Sequence, residues 1–287
     1  MTTLEKATRP RMLGNIEHIA DHLRAAGLLP EGPIPMQRLG LGTKAAIRFG
    51  DIVVKRVHAR QLSLVAELGS QLPGVSPEIV WADHTSELLI TRFVPGAQWE
   101  RQLEAGEIDS RTFAAAGSML RSVHSSSIAG PRRHRPPLNG GDDARGRRLS
   151  SAIECLDAKL RGSRAVLLNG AFEPDNVIVA AAQRLTMTDW RGAGYGPAEL
   201  DVAQLLACLI ACTVAQPYTE DWYIDAGRAF LDSYGAVDPA KLRPLIGLEL
   251  LAATSAAVHR AQSEHSVRTI LRERAFALLL DDDPLPW

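Results

Sequence analysis

The sequence has few aromatic residues, few cysteines and almost no net charge. Aromatic residues make up 5% of the 287 residues, so no stacking platform for single-stranded nucleic acid is indicated. The 32 Lys and Arg residues balance 33 Asp and Glu residues, and the formal net charge of -1 creates no overall field that recruits nucleic acid or an anionic membrane. The longest apolar run, Leu205 to Ala215, is far shorter than the roughly 20 residues that span a bilayer. We therefore expect a cytoplasmic protein that binds neither nucleic acid nor a membrane.

The three cysteines are too few for a disulfide framework, and no cluster of other ligands makes them a zinc site. Cys208 and Cys212 lie four residues apart, a spacing at which two side chains share one face of a helix. The apolar sequence around them favours burial in the core over a shared ligand. We assign the cysteines no function.

The first third of the chain mixes helix and strand patterns. With 46% hydrophobic and 23% charged residues, the chain has the composition of an ordinary globular protein with one large core or two modest ones. Apolar residues recur at helical spacing over Asn15 to Ala26 and over Gln61 to Leu72. Asp51 to Val57 is rich in β-branched residues and predicts a strand, and Ile79 to Asp83 and Leu88 to Val94 predict two more. These patterns predict a small α/β lobe.

From residue 95 onward nearly every strong pattern is helical. Pro95 and Gly96 break the last strand of the small lobe and mark a linker. Helical periodicity then predicts the segments Arg111 to Ser126, Ser150 to Arg161, Glu199 to Ala215, Asp221 to Tyr234, Arg243 to Ala261 and Ser266 to Leu280. Short strands are expected at 177–179 and 185–188. The sequence thus predicts two domains, an N-lobe over 1–94 and a larger, mostly helical C-lobe over 95–287.

One segment of the C-lobe, Ala129 to Arg148, is rich in Gly, Pro and Arg. Such a composition is typical of a mobile loop. A solvated loop is the simpler interpretation, and a docking surface for a phosphate or an acidic partner is the functional one. The composition alone does not separate these two interpretations.

Four residues of the N-lobe suggest a polyphosphate site. Gly40 and Gly42 stand between strand candidates, where a backbone without side chains can approach phosphates closely. Their segment lacks a Lys-Ser/Thr ending and continues into a strand, so it is neither a P-loop nor a Rossmann turn. Lys55 ends the next strand, as does the lysine that grips the α and β phosphates in kinase-like folds, and Glu67 on the following helix is placed to pair with it. Taken singly, they are equally well explained as hairpin glycines, an edge lysine and a surface glutamate.

The strongest pattern lies in the C-lobe. Leu168 to Val179 contains Asn-Gly-Ala, then Pro-Asp-Asn, and ends in an apolar strand. After a short turn it is followed by Thr188 to Arg191, which contains Asp-Trp, and then by Gly196 to Ala203, which begins with Gly-Pro. A helix ending at His124 precedes these segments, and Phe230 to Gly235 follows them. Each match is loose, but the order of all five makes them specific jointly.

These segments resemble the aminoglycoside phosphotransferase and choline kinase family, which carries His-Gly-Asp-x-x-Pro-x-Asn, an apolar strand, Asp-Trp and a Gly-Pro-x-x-Asp-x-Ala segment. The resemblance spans nearly the whole chain. It implies an α+β, two-lobed, protein-kinase-like fold with an antiparallel sheet in the N-lobe. It also implies ATP between the lobes, a hinge from Arg92 to Gln98 with Val94 at the nucleotide, and magnesium held by Asn176 and Asp189.

The catalytic loop departs from the family pattern at two positions. Asn169 stands where the family has histidine, and Ala171 stands where it has the aspartate that deprotonates the acceptor hydroxyl. Alanine cannot accept a proton, and a positioned general base contributes about 10² to 10⁴ in rate. Phosphoryl transfer relies mainly on positioning and charge stabilisation, so this loss impairs transfer without forbidding it. Glu173 and Asp175 in the same loop are the candidate replacements, although solvent-facing loop acids are the simpler interpretation of both.

Three other residues bear on the loop. Asn169 can still hydrogen-bond the loop backbone, which favours a loop that keeps its shape. The resemblance implies that Asp201 braces the loop, while a helix N-cap explains this carboxylate equally well. Arg191 stands where relatives often carry an acid, so it puts a cation near the metal site that either helps to hold a phosphate or weakens a second metal.

Two functional classes remain open. The first is an atypical phosphotransferase that binds Mg-ATP and modifies a hydroxyl of a small molecule or a peptide, with the base supplied by a residue other than the usual aspartate. The second is a pseudokinase that presents a peptide or activates a partner protein in a biosynthetic complex. Nucleotide binding belongs to both classes, so the retained metal and lysine positions do not separate them.

Overall fold

The computed structural model describes residues 16–39, 46–107, 109–128, 144–190, 192–215, 220–256, 265–280 and 285. The chain forms two compact units. The first comprises Met1–Ala66 and Glu78–Phe93, and the second comprises Glu67–Pro77 and Val94–Trp287. The first contains an antiparallel sheet and the second is mostly helical, so the predicted α+β class is confirmed.

The first unit is built on a five-stranded antiparallel sheet with the strand order β1-β2-β3-β5-β4. Its strands are β1 (Met36–Leu39), β2 (Ala46–Phe49), β3 (Ile52–Arg56), β4 (Ile79–Asp83) and β5 (Leu88–Arg92). Helix α1 (Ile16–Ala25) precedes the sheet, and α2 (Ala59–Gln71) connects β3 to β4. The three strands that β-branched and apolar runs predict are therefore present.

The core of the first unit lies between α1 and one face of the sheet. Leu23 of α1 is completely buried and packs in a cluster with Ile47, Val54 and Ile90. Because side chains alternate between the faces of a strand, Lys55 lies on the opposite face from Val54. The packing of α1 thus decides which face of the sheet carries the lysine.

The hairpin between β2 and β3 is tied to the end of β5. The Phe93 N–H donates to the Asp51 carbonyl oxygen at 2.7 Å, and an Arg92 nitrogen donates to the Asp51 carboxylate at 2.6 Å. The Arg48 guanidinium lies over the Phe93 ring, 3.5 Å from its centroid. This cation–π contact and the two hydrogen bonds hold the segment that follows β5.

The helices of the second unit carry most of its buried side chains. They are α3 (Trp99–Glu104), α4 (Ser110–His124), α5 (Ala144–Arg161), α6 (Glu199–Ala215), α7 (Glu220–Tyr234), α8 (Pro239–Ala256) and α9 (His265–Leu280). The six predicted helices are present, α6 with the predicted ends and the others with shifted ends, and α3 is an additional one. Residues 257–261 of the helix predicted from Arg243 to Ala261 lie outside the described ranges. None of the helices in the described ranges is both long and apolar enough to cross a membrane.

Two small sheets complete the second unit. One has the strand order β6-β8-β9, formed by Ala97–Gln98, Val177–Val179 and Leu185–Met187, and the other pairs β7 (Ala165–Leu168) with β10 (Gly194–Pro197). β8 and β9 are the two strands predicted for this lobe. β6, β7 and β10 were not predicted, because each is a short segment that becomes a strand only by pairing with a segment far along the chain.

Residues 67–77 group with the second unit, although the sequence places them in a domain over 1–94. The Met187 N–H donates to the Val75 carbonyl at 2.8 Å, and the Thr186 hydroxyl donates to the Gly74 carbonyl at 3.2 Å. These bonds attach the turn after α2 to β9. This grouping is not visible in the sequence, because hydrogen bonds between distant segments leave no local pattern.

Helices α4 and α7 approach closely at Gly117. A Cβ atom at this position would overlap the Phe230 carbonyl oxygen and lie 2.9 Å from the Tyr234 nitrogen. Backbone atoms cannot move aside as a flexible side chain can, so we expect Gly117→Ala to destabilise the protein by about 2 kcal/mol. Urea unfolding measures this change. Gly162→Ala is the control, because its Cβ would meet nothing closer than 3.8 Å; equal stability of the two variants would contradict the close packing.

Candidate functional site in the second unit

The site is built around the loop of residues 169–176 between β7 and β8. Its backbone turns at Gly170, where φ is 78°, and Pro174–Asn176 forms a short 3-10 helix. The Ala171 N–H donates to the Asn169 side-chain oxygen at 3.2 Å. The Ala171 carbonyl accepts from the Asn176 side-chain amide and from the Glu173 N–H, each at 2.8 Å. Both polar backbone groups of Ala171 are therefore held, which fixes the direction of its side chain.

Asp201 braces the start of this loop from the first turn of α6. Its carboxylate is completely buried and accepts the Asn169 N–H at 2.7 Å and the Gly170 N–H at 2.8 Å. One α6 turn later, the Gln204 side-chain oxygen accepts the Phe172 N–H at 3.1 Å. Of the two interpretations of Asp201, loop bracing is the one that these contacts support.

A buried histidine and a buried tyrosine continue the network behind Asp201. His124, the last residue of α4, places Nε2 3.2 Å from the Asp201 carboxylate and Nδ1 2.7 Å from the Tyr234 hydroxyl. Burial raises the pKa of Tyr234 well above its ordinary value, and the neighbouring carboxylates of Glu199 and Asp201 raise it further. The sequence pattern marks His124 and Tyr234 only as parts of family-like segments, and their contact joins residues 110 positions apart.

Asn176 and Asp189, the predicted magnesium ligands, lie on segments that are bonded to each other. The Thr188 N–H and hydroxyl both donate to the Asn176 carbonyl, at 2.7 and 3.1 Å. The Asn169 side-chain amide donates to the Asp189 carbonyl at 2.8 Å. Asn169 therefore connects the loop to the Asp189 segment, in addition to accepting the Ala171 N–H.

The donor atoms of this pair fit magnesium. The Asn176 amide nitrogen is bonded to the Ala171 carbonyl, which directs the amide oxygen to the other side of the group. This oxygen and the half-buried Asp189 carboxylate are the hard oxygen ligands that Mg²⁺ prefers. Within the described ranges, no group of three or more His, Cys, Asp or Glu residues could hold a metal ion. A magnesium site with few protein ligands is usual, because phosphates and water supply the others.

The two candidate bases are half-buried rather than exposed. The Asp175 carbonyl accepts from the Gln98 side chain at 3.4 Å, and its carboxylate oxygen Oδ1 is out of contact with solvent. Burial is the main cause of the raised pKa of Cys208 on α6, and the negative charges of Glu173 and Asp175 also contribute. Both carboxylates therefore lie close enough to α6 to influence the Cys208 thiol. Their role as the base stays a prediction.

The candidate nucleotide-binding residues lie in different parts of the chain. Lys55 is half-buried on β3 in the first unit, where Arg92 ends β5 and contacts Asp51. Glu67 belongs to the second unit and accepts from the Gln71 side chain at 2.8 Å. Val94 is half-buried in the second unit, beyond the end of β5. The predicted pairing of Lys55 with Glu67 stays a prediction.

Some predicted residues lie outside the described ranges. These are Gly40 and Gly42 of the glycine-rich segment, Arg191 beside the metal ligands, and residues 129–143 of the basic segment. Their roles stay predictions.

The two cysteines of α6 show no sign of reactivity. Cys208 and Cys212 are only half-buried, although the apolar sequence around them predicts burial in the core. Burial nevertheless raises the pKa of the Cys212 thiol to about 11, and the charges of Glu100 and Glu104 raise it further. A thiol that stays protonated at neutral pH is a poor nucleophile and a poor metal ligand, so the cysteines remain without an assigned function.

The order and the contacts of these segments agree with a comparison of the sequence to known families. The sequence model of the phosphotransferase enzyme family matches residues 54–245, which is more than half of the chain. The chain belongs to the phosphotransferase enzyme family. No curated protein sequence matches the chain.

Solved structures with the family's fold cover nearly the whole chain. A choline/ethanolamine kinase family protein from Mesorhizobium loti is 18% identical, with a TM-score of 0.63 over 93% of this chain and 96% of its own. Amicoumacin kinase hAmiN, solved in complex with AMP-PNP, Ca²⁺ and Ami, is 14% identical, with a TM-score of 0.65 over 94% of this chain and 95% of its own. Spectinomycin phosphotransferase APH(9)-Ia, in complex with ADP and spectinomycin, is 16% identical, with a TM-score of 0.59 over 91% and 98%. At these identities the similarity establishes the fold.

Proposed function

We propose that this phosphotransferase family member is a cytoplasmic Mg-ATP-dependent kinase that acts on a hydroxyl of a small molecule or a peptide, with a base other than the usual aspartate. The observation that carries the proposal is the hydrogen-bonded frame of residues 169–189. It holds the Asn176 amide oxygen away from Ala171 and binds the Asn176 segment to the Asp189 segment. A chain that had lost nucleotide chemistry altogether would have no need for this pair of oxygen ligands.

Each candidate nucleotide-binding residue has a proposed role. Asn176 and Asp189 hold the magnesium ion, and Lys55 binds the α and β phosphates with Glu67 directing its ammonium group. By resemblance to the family, the backbone at Gly40 and Gly42 covers the phosphates, and the segment of Arg92 and Val94 lines the nucleobase. Magnesium supplies charge neutralisation at the phosphates when it is bound.

Glu173 and Asp175 are the proposed sources of the missing base. Both belong to the loop that carries Ala171, and both are half-buried. A loop carboxylate that faces the acceptor hydroxyl can remove its proton. The substrate itself or a partner protein is the other source that the chemistry allows.

A pseudokinase is the second candidate function, and the alanine at position 171 favours it. The loop around this residue is fully braced, so its shape does not depend on the missing carboxylate. Such a chain would use a nucleotide-stabilised fold to bind a peptide or to activate a partner in a biosynthetic complex. The two candidates share nucleotide binding and differ in turnover.

Nucleotide binding is tested by thermal unfolding with and without Mg-ATP. A ligand at 100 times its Kd stabilises the folded state by about 2.7 kcal/mol, so Tm should rise measurably. Lys55→Ala and Asp189→Ala should each abolish the rise, because they remove a phosphate contact and a metal ligand. Lys159→Ala and Asp225→Ala are matched controls, since both side chains are exposed on helices of the second unit. An unchanged Tm for the wild-type protein at millimolar Mg-ATP would refute the proposal.

A further inference from the structure

Three buried side chains form a chain of hydrogen bonds that ends at the loop of residues 169–176. The exposed fractions of Tyr234, His124 and Asp201 are 8%, 7% and 0%. Both ring nitrogens of His124 have partners, with Tyr234 at Nδ1 and Asp201 at Nε2. The chemistry of the two partners decides where the imidazole carries its proton.

The Asp201 carboxylate determines whether Nε2 of His124 carries a hydrogen. It accepts two backbone N–H groups, from Asn169 and Gly170, so it is present as an acceptor. A carboxylate oxygen 3.2 Å from Nε2 is compatible with a hydrogen bond only if Nε2 carries the hydrogen. In the neutral imidazole, Nδ1 then holds a lone pair and needs a donor.

Tyr234 is that donor. Its raised pKa keeps the phenol protonated at neutral pH, and its oxygen lies 2.7 Å from Nδ1. We propose that Tyr234 is a positioning residue for the 169–176 loop: its hydroxyl holds the His124 ring in the orientation that directs the Nε2–H at Asp201, and this N–H is the third donor to Asp201. The inference deepens the proposed function, because the loop it positions carries Ala171 and Asn176.

Loss of the Tyr234 hydroxyl has a specific consequence for the loop. Without this hydroxyl, the buried Nδ1 lone pair loses its hydrogen-bond donor, and the ring loses the contact that fixes its orientation. A ring that is no longer fixed gives a weaker hydrogen bond from Nε2 to the Asp201 oxygen that also accepts the Asn169 N–H. The hold of Asp201 on the loop is weakened accordingly.

The tautomer is measured by long-range ¹H–¹⁵N correlation spectra of the wild-type protein labelled in histidine. The expected signature for His124 is hydrogen on Nε2 and a non-protonated Nδ1. Any signature with hydrogen on Nδ1 in the wild-type protein overturns the inference. This measurement needs no variant, so it stands even if a substitution prevents folding.

The positioning role is measured by amide hydrogen exchange in Tyr234→Phe. The Asn169 and Gly170 amides should exchange about tenfold faster than in wild type, which corresponds to one hydrogen bond to a charged group, and the His124 signature should change. Tyr223→Phe is the matched control, because Tyr223 is also buried on α7. Equal exchange rates in the two variants overturn the inference. A wild-type protein without any response to Mg-ATP refutes the proposed function instead, and leaves the exchange and tautomer results intact.

Discussion

Replacing Ala171 by aspartate should raise the rate of phosphoryl transfer, or of ATP hydrolysis, by up to about 10² to 10⁴, the contribution of a positioned general base where no other group replaces it. The backbone at this position is already held by hydrogen bonds from its N–H and to its carbonyl. Ala171 is partly exposed, which favours acceptance of a larger side chain. The new carboxylate therefore enters a frame that already has the shape of a catalytic loop.

Two control variants test whether a rate increase in Ala171→Asp comes from a general base rather than from added charge or added volume. Ala171→Asn has almost the same size as the aspartate variant but cannot accept a proton at neutral pH. Ala181→Asp adds the same charge at an exposed turn away from the loop. Steady-state release of phosphate or ADP is measured for all three. If Ala171→Asp binds Mg-ATP and keeps a measurable wild-type rate, another group already supplies the base. If neither protein turns over, the missing carboxylate is not the only defect and the pseudokinase interpretation gains support.

Replacing Asp201 by alanine should destabilise the protein by about 3 to 5 kcal/mol, the range found when one member of a buried charged network is removed. The substitution leaves the Asn169 and Gly170 N–H groups and the His124 Nε2 without their shared acceptor. Each buried donor without a partner carries a desolvation penalty of about 1 to 3 kcal/mol. Urea unfolding followed by circular dichroism measures the loss.

The control for this prediction is Asp232→Ala on α7, which removes an exposed carboxylate and should change the stability by less than about 0.5 kcal/mol. Asp201→Asn provides a milder test that retains the side-chain size. Its amide has a single oxygen for three donors, so it should also destabilise the protein, by less than the alanine variant. A stability of Asp201→Ala within the range of the Asp232→Ala control would show that the loop does not depend on this carboxylate.

The long, strongly periodic helices and the local β8–β9 pair could be predicted from the sequence, and the short strands that pair with distant segments could not. Helices of fifteen residues, such as α4 and α7, show about four turns of apolar repeats. β7 and β10 have four residues each, and they become strands because they pair with each other across 25 intervening residues. A pairing partner at that distance leaves no mark in the local pattern.

In the candidate site, too, local motifs could be predicted and contacts between distant segments could not. Asn176, Asp189 and the alanine at position 171 could be identified because they belong to a motif with regular spacing. The half-burial of Glu173 and Asp175 could not be predicted, because the direction of a side chain in a tight loop depends on the helix packed beneath it. The same holds for the choice between bracing and capping at Asp201.

The sequence by itself determined that the chain is a two-part α+β protein with the ordered motifs of a phosphotransferase and that position 171 carries no base. Only the tertiary structure decided that Asp201 braces the loop and that His124 and Tyr234 stand behind it. The physical reason is the range of the interactions. Periodicity and motif spacing act between near neighbours, whereas Tyr234 reaches His124 only because α4 and α7 pack closely at Gly117.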